Sequence, residues 1–174
     1  MKKSIFPVVA AGIIILSAFT FIQSLDWKIS DKYSVKFDGG DPKGEFTGLK
    51  GTIQFDANNL AASKFDCTID VESINTGNGM QNTHAKSDKW LDATKYPLIH
   101  FTSKSINKTA AGYEALGTLD MHGVQKEITL PFTFADNVFA GSFEVNRMDY
   151  GINTAEPKHG AQVLKIALNV PVTK

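Results

Sequence analysis

Past its first two dozen residues, the chain alternates apolar and polar side chains with a period of two. Phe65, Cys67, Ile69 and Val71 alternate with Asp66, Thr68, Asp70 and Glu72. Tyr33, Val35 and Phe37 alternate with Ser34 and Lys36, and Leu164, Ile166, Leu168 and Val170 face away from Lys165 and Asn169. One buried and one wet face is the signature of antiparallel strands. Turn clusters at Asp38-Gly39-Gly40-Asp41-Pro42, Asp56-Ala57-Asn58-Asn59, Ala111-Gly112, His122-Gly123 and Asp136-Asn137 divide the pattern. The spacing predicts about eight strands, near 32–38, 45–55, 63–74, 98–106, 113–121, 126–135, 138–147 and 161–172. Phe46 is out of phase with Leu49, Ile53 and Phe55, which predicts a bulge near Gly48. Pro131 removes a ladder donor, so its strand is expected to be irregular or to border an opening.

The stretch from Thr76 to Ser103 breaks this rhythm. It is polar yet carries Trp90, Leu91 and Tyr96, and residues 78–92 form the one helical candidate, with Met80, His84, Trp90 and Leu91 as apolar contacts. The open end of a barrel is where such a segment can bury its rings. Strands joined by hairpins, interior glycines and one lid predict an all-β fold: an eight-stranded antiparallel, lipocalin-like β-barrel with a short helical lid.

Alternate residues would then line the barrel. Val35, Phe37, Phe46, Ile53 and Phe55 come from the first strands, Cys67, Ile69, Phe101 and Leu119 from the middle ones, and Phe132, Phe134 and Phe143 from the last. Trp90 is expected to close the mouth, and Tyr150 to plug the bend before Gly151. Rigid rings fill a closed barrel poorly, and voids destabilise it, so this set predicts a ligand cavity. About twenty buried carbons at ~0.8 kcal/mol each would contribute about 16 kcal/mol, selecting by length and polarity.

Composition narrows the chemistry. Lys and Arg number 18 and so do Asp and Glu, with no basic block, which excludes electrostatic binding of nucleic acid. Cys67 is the single cysteine, so no intrachain disulfide forms. His84, His100, His122 and His159 lack metal-ligand spacing, and no nucleophile elbow or phosphate loop is present. No metal, cofactor or catalytic residue is expected. Met1-Lys2-Lys3 precedes an apolar run from Ile5 to Ile22, which reads as a signal peptide over residues 1–24 with the binding domain at 25–174. The run would reach about 27 Å as a helix, so an uncleaved membrane anchor is the alternative.

Five stretches together resemble the YceI-like family of polyisoprenoid-binding proteins: Trp27-Lys28-Ile29 with Ser34–Phe37, Gly44–Asp56, Ser73–Gly77 through His84 and Trp90–Asp92 to Lys95–Ser103, Gly117–Lys126, and Arg147-Met148-Asp149-Tyr150-Gly151-Ile152. The resemblance implies a periplasmic or secreted barrel, without catalysis, holding a long apolar chain such as an isoprenoid lipid or isoprenoid quinone. Many relatives carry Arg-Asp-x-His in the lid, where this chain has Gln81-Asn82-Thr83-His84. Gln81, Asn82 and His84 thus become candidate contacts for a neutral head group. Arg147 is another, or else it pairs with Asp149 across an extended strand. Transient membrane contact and a homodimer through an edge opened at Pro131 are further expectations. The competing reading is a filled barrel that acts as a protein-interaction or stress-protective module.

Overall fold

The computed structural model describes residues 25–174; the expected signal peptide lies outside the described residues. The alternating segments form eleven strands: β1 (Asp26–Ile29), β2 (Ser34–Asp38), β3 (Lys43–Phe46), β4 (Leu49–Gln54), β5 (Lys64–Asp70), β6 (Ile74–Asn75), β7 (Leu98–Thr109), β8 (Gly112–Met121), β9 (Val124–Ala135), β10 (Val138–Asn146) and β11 (Val163–Thr173). All pairings are antiparallel, and the sheet closes because β1 pairs with both β4 and β11.

Three staves of the barrel are broken strands, which reduces eleven segments to eight. β1 and β2 lie along one partner: β11 pairs with β2 at Lys165–Asn169 and with β1 at Val172 and Thr173. β3 and β4 form the second stave, broken at Thr47-Gly48, where the phase slip of Phe46 predicts a bulge. The Tyr33 hydroxyl bridges that break, donating to the Thr47 carbonyl and accepting from the Leu49 amide at 3.0 Å. β5 and β6 form the third, separated by a single turn at Val71–Ser73 whose Glu72 amide donates to the Asp70 carboxylate. The result is the expected eight-stranded antiparallel barrel with one short helix. β1 escapes the sequence reading because Trp27 and Ile29 supply only two beats of alternation.

The helix is shorter than expected. α1 spans Gly79–Lys86, capped by the Asn78 side chain, which accepts from the Met80 and Gln81 amides. It ends at Ser87, and tight turns carry Trp90 and Leu91. Met80 is 83% exposed, so it is not an apolar contact of the lid.

One seam is incomplete. β9 pairs with β8 over the nine positions from Val124 to Phe132, and β10 pairs with β11 along its whole length. Between β9 and β10, however, the ladder runs only from Ala135↔Val138 to Phe132↔Gly141. It stops next to Pro131, whose nitrogen has no proton to donate.

The interior divides in two. At the end bearing both termini of the described chain, Phe55, Phe65, Phe132 and Phe139 pack ring against ring, with Trp27, Tyr113 and Phe134 around them. Phe55 lies 5.1–5.7 Å, centroid to centroid, from Tyr113, Phe132, Phe134 and Phe139. At the lid end, Val71, Ala93, Ile99, Leu119, Met121, Val145, Tyr150 and Ile152 form the second cluster.

Candidate functional site

A cavity of about 250 Å³ lies between these two clusters. Its wall is made by the inward positions of the staves. Val35, Phe37, Phe46, Leu49 and Ile53 stand on one side, and Cys67, Ile69, Ile99, Phe101 and Leu119 on another. Ile128, Leu130, Phe132, Phe143, Val145 and Ile166 complete it. The surface is almost wholly carbon, and Lys36 and Arg147 are the only charged residues that border it among the described residues.

Eleven of the fourteen residues expected to line the interior and lid border this space: Val35, Phe37, Phe46, Ile53, Cys67, Ile69, Trp90, Phe101, Leu119, Phe132 and Phe143. Phe55, Phe134 and Tyr150 do not. Phe55 is 2% exposed and belongs to the aromatic floor, and Phe134 packs there against Trp27 and Phe139. The register that points them inward is as expected, but neighbouring rings fill the barrel at their level. Tyr150 sits in a tight turn, Arg147–Tyr150, buried in the lid-end core, with burial and Asp149 raising its phenol pKa.

Three segments cover the mouth. The lid contributes Ala85, Trp90 and Leu91, the hairpin after β2 contributes Pro42, and the connection from β10 to β11 contributes Ile152 and Ala161. They meet at the Trp90 indole. A Cβ on Gly160 would stand 3.2 Å from Trp90 Cη2 and 3.8 Å from Pro42 Cδ, and φ there is +74°, so this crossing favours glycine. His84 and His159 set their rings 6.0 Å from Trp90. The loops carried no periodic signal, so Pro42, Ile152 and Ala161 were not legible as cover residues.

Arg147 organises the third cover segment. It is 2% exposed. Its guanidinium donates to the carbonyls of Ala161, Ile152, Asn153, Pro157 and His159 at 2.6–3.3 Å, while its cationic face lies 5.2 Å from the Trp90 centroid. Burial lowers its pKa, but a guanidinium remains charged. The expected pairing with Asp149 is not what holds it. The backbone leaves the strand at Arg147, so the two residues do not share a face, and five carbonyl dipoles take the place of a carboxylate.

The other polar candidates divide. Asn82 Oδ1 accepts from the amide and hydroxyl of Thr76 at 2.8 and 2.7 Å, fixing the entry to α1. Gln81 is exposed and reaches Asp41 at 3.5 Å. His84 lies outside the cavity, on the outer side of Trp90. His122 is a turn residue, as expected, with φ +55° and Nδ1 donating to the Tyr150 carbonyl at 3.0 Å. His100 pairs with Asp66 at 2.7 Å on the outer wall, an exposed contact of small energetic weight. No group of three or more His, Cys, Asp or Glu is placed to hold a metal ion among the described residues.

Comparison with known proteins agrees with this geometry. The family model described as "YceI-like domain" matches residues 27–173. A protein of Vibrio vulnificus is 31% identical over 144 residues, covering 77% of this chain and 75% of its own. Protein YceI of Shigella flexneri is 38% identical over 87 residues, covering 50% of this chain, and the match spans 46% of that protein's length. Likewise, the match to a Yersinia enterocolitica relative spans 45% of its length. Among solved structures, Burkholderia cenocepacia BcnA superposes with a TM-score of 0.75 at 26% identity, covering 82% of this chain and 97% of BcnA. A polyisoprenoid binding domain from Saccharophagus degradans shares the fold, with a TM-score of 0.62 at 16% identity, covering 85% and 97%.

Proposed function

This chain belongs to the YceI-like domain family, and from that membership and the cavity we propose that it is an exported, non-enzymatic carrier for one apolar chain, a polyisoprenoid or an isoprenoid quinone. The observation that carries the reading is an unfilled space of about 250 Å³ with a carbon wall. At ~24 cal/mol per Å³, such a void amounts to about 6 kcal/mol of missing packing. That is comparable with the whole stability of a domain, ~5–15 kcal/mol. A ligand that fills it removes this penalty, whereas a barrel evolved simply to be full would have no reason to carry it. The name of the Saccharophagus domain supplies the lipid class, and the expected signal peptide supplies export.

The size of the space revises the number of carbons. An apolar cavity of ~150 Å³ holds benzene, so about ten carbons fit here, not about twenty. The reason is the aromatic floor, which closes the barrel partway down. Ten carbons at ~0.8 kcal/mol give a gross gain of about 8 kcal/mol, which before ordering costs corresponds to roughly micromolar affinity. With almost no polar atom on the wall, a head group has to stay outside. Gln81, His84 and His159 offer polar groups on the outer side of the cover, whereas Asn82 and Arg147 are already engaged.

Native mass spectrometry of the protein purified from its own envelope, followed by organic extraction, tests the reading. A bound species that releases a prenyl chain is expected. Delipidation should then lower Tm by about 5–10 °C if the native ligand is held near 100 times its Kd. An unchanged Tm after verified removal would count against the proposal.

A further inference from the structure

The cavity is smaller than a polyisoprenoid, and its cover is tied down at three places. α1 is tied to the chain leaving β6 by Asn82 Oδ1, which accepts from the Thr76 amide and hydroxyl at 2.8 and 2.7 Å. Arg147 gathers the connection from β10 to β11, and Trp90 packs against that connection through the Arg147 guanidinium and the His159 ring. The side wall is different. Past the Phe132↔Gly141 pair, the facing edges of β9 and β10 are not joined by a ladder, although along this stretch each strand is paired on its other side. The inward residues on this unpaired stretch are Ile128 and Leu130 of β9 and Phe143 and Val145 of β10, and all four border the cavity. Ile128 and Phe143 stay half-exposed despite their inward register.

Gly141 stands where the seam begins to part. A Cβ there would lie 2.5 Å from the Pro131 carbonyl oxygen and 3.5 Å from Leu130 Cδ2. Glycine thus lets the two strands touch at this one point, and proline denies the ladder its next donor. Sequence chemistry on both strands ends the pairing at the level of the cavity.

We propose that this slot between β9 and β10 is a side exit of the binding site, through which the carbons of a linear prenyl chain beyond about the tenth leave the barrel between Ile128, Leu130, Phe143 and Val145. The inference rests on the reading of the cavity as a prenyl-chain site. A long chain then does not have to be taken in whole, because its far end stays in the apolar phase that supplies it.

The test closes the slot from outside. If the ladder continued in register, Thr129 would face Glu144, and both are exposed outer-face residues that do not border the cavity. The variant Thr129→Cys/Glu144→Cys, made with Cys67→Ala, is closed by a disulfide or by a short bifunctional thiol reagent and compared with its own reduced form. Two detergent-dispersed probes are used, a prenyl alcohol of about ten carbons, matched to the cavity, and one of about forty. Closure should leave binding of the short probe unchanged and weaken the long probe at least tenfold. Equal binding of the long probe in both forms would overturn the side exit and return the chain to the mouth. Loss of both probes on closure would overturn it too, since the cavity itself would have been closed. Failure of the short probe to bind the unsubstituted protein would instead overturn the carrier reading, and the side exit with it.

Discussion

Cys67 shows how much a single inward position reveals. Alternation places its thiol inside the barrel, and the structure sets it in the cavity wall. Burial, with Asp66 next to it as a second cause, pushes the thiol from 9.0 up to about 11. The neutral form is therefore favoured in the folded state. Its contribution to stability is intact below pH 9 and is lost as pH rises through 9 towards 11. The thiolate fraction at pH 8 should be about a hundredfold lower than in the unfolded chain. Iodoacetamide alkylation followed by mass spectrometry should show a matching loss of rate in the native protein and full reactivity in denaturant. Native reactivity equal to that of the unfolded chain would mean that the side chain does not face the cavity.

At the scale of elements, the connection from β10 to β11 is held by one side chain in place of a ladder. Its backbone carbonyls at residues 152–161 converge on Arg147, so the segment depends on a planar fork of donors. Lysine keeps the charge but offers a single ammonium and cannot reach five acceptors. Arg147→Lys should therefore cost about 3 kcal/mol, the scale expected when buried carbonyls lose their donors. Limited proteolysis should then cut first within residues 152–161. A variant with native Tm and no new cleavage there would show that the carbonyls are satisfied otherwise. The Arg147 motif was visible in the sequence, but its role was not. Arginine and aspartate two apart suggest a pair, and only the turn at Arg147–Tyr150 removes that geometry.

At the scale of the whole molecule, the barrel is a cup whose depth is set by its aromatic floor. Phe55 lies at the centre of that floor, among five other rings. Phe55→Ala should lower stability by about 3–5 kcal/mol in chemical denaturation. On the carrier reading, the same variant should deepen the cup, so that the shortest prenyl alcohol to reach full affinity becomes longer than about ten carbons. Loss of stability with an unchanged length profile would mean that the floor relaxes into the void and does not limit the ligand.

Residue order alone was enough for the inward face of each strand with a sustained alternation, β1 excepted, because a period of two is imposed locally by the pleat. It was also enough for the up-and-down path, because short turns leave neighbouring strands little choice of partner. The irregularity near Gly48, expected as a bulge and found as a break at Thr47-Gly48, and the weakness at Pro131 were legible for the same reason: each is a local clash or a missing donor. The tertiary structure decided what depends on distant residues meeting. Closure needed β1 to find both β4 and β11. The helix ended at Lys86 because the following residues turn to bring Trp90 over the mouth. Phe55 and Phe134 have the same inward register as Phe37 and Phe101, yet they became floor and not wall. A cavity is the small difference between the volume a barrel encloses and the volume its side chains fill, and that difference depends on every inward residue at once.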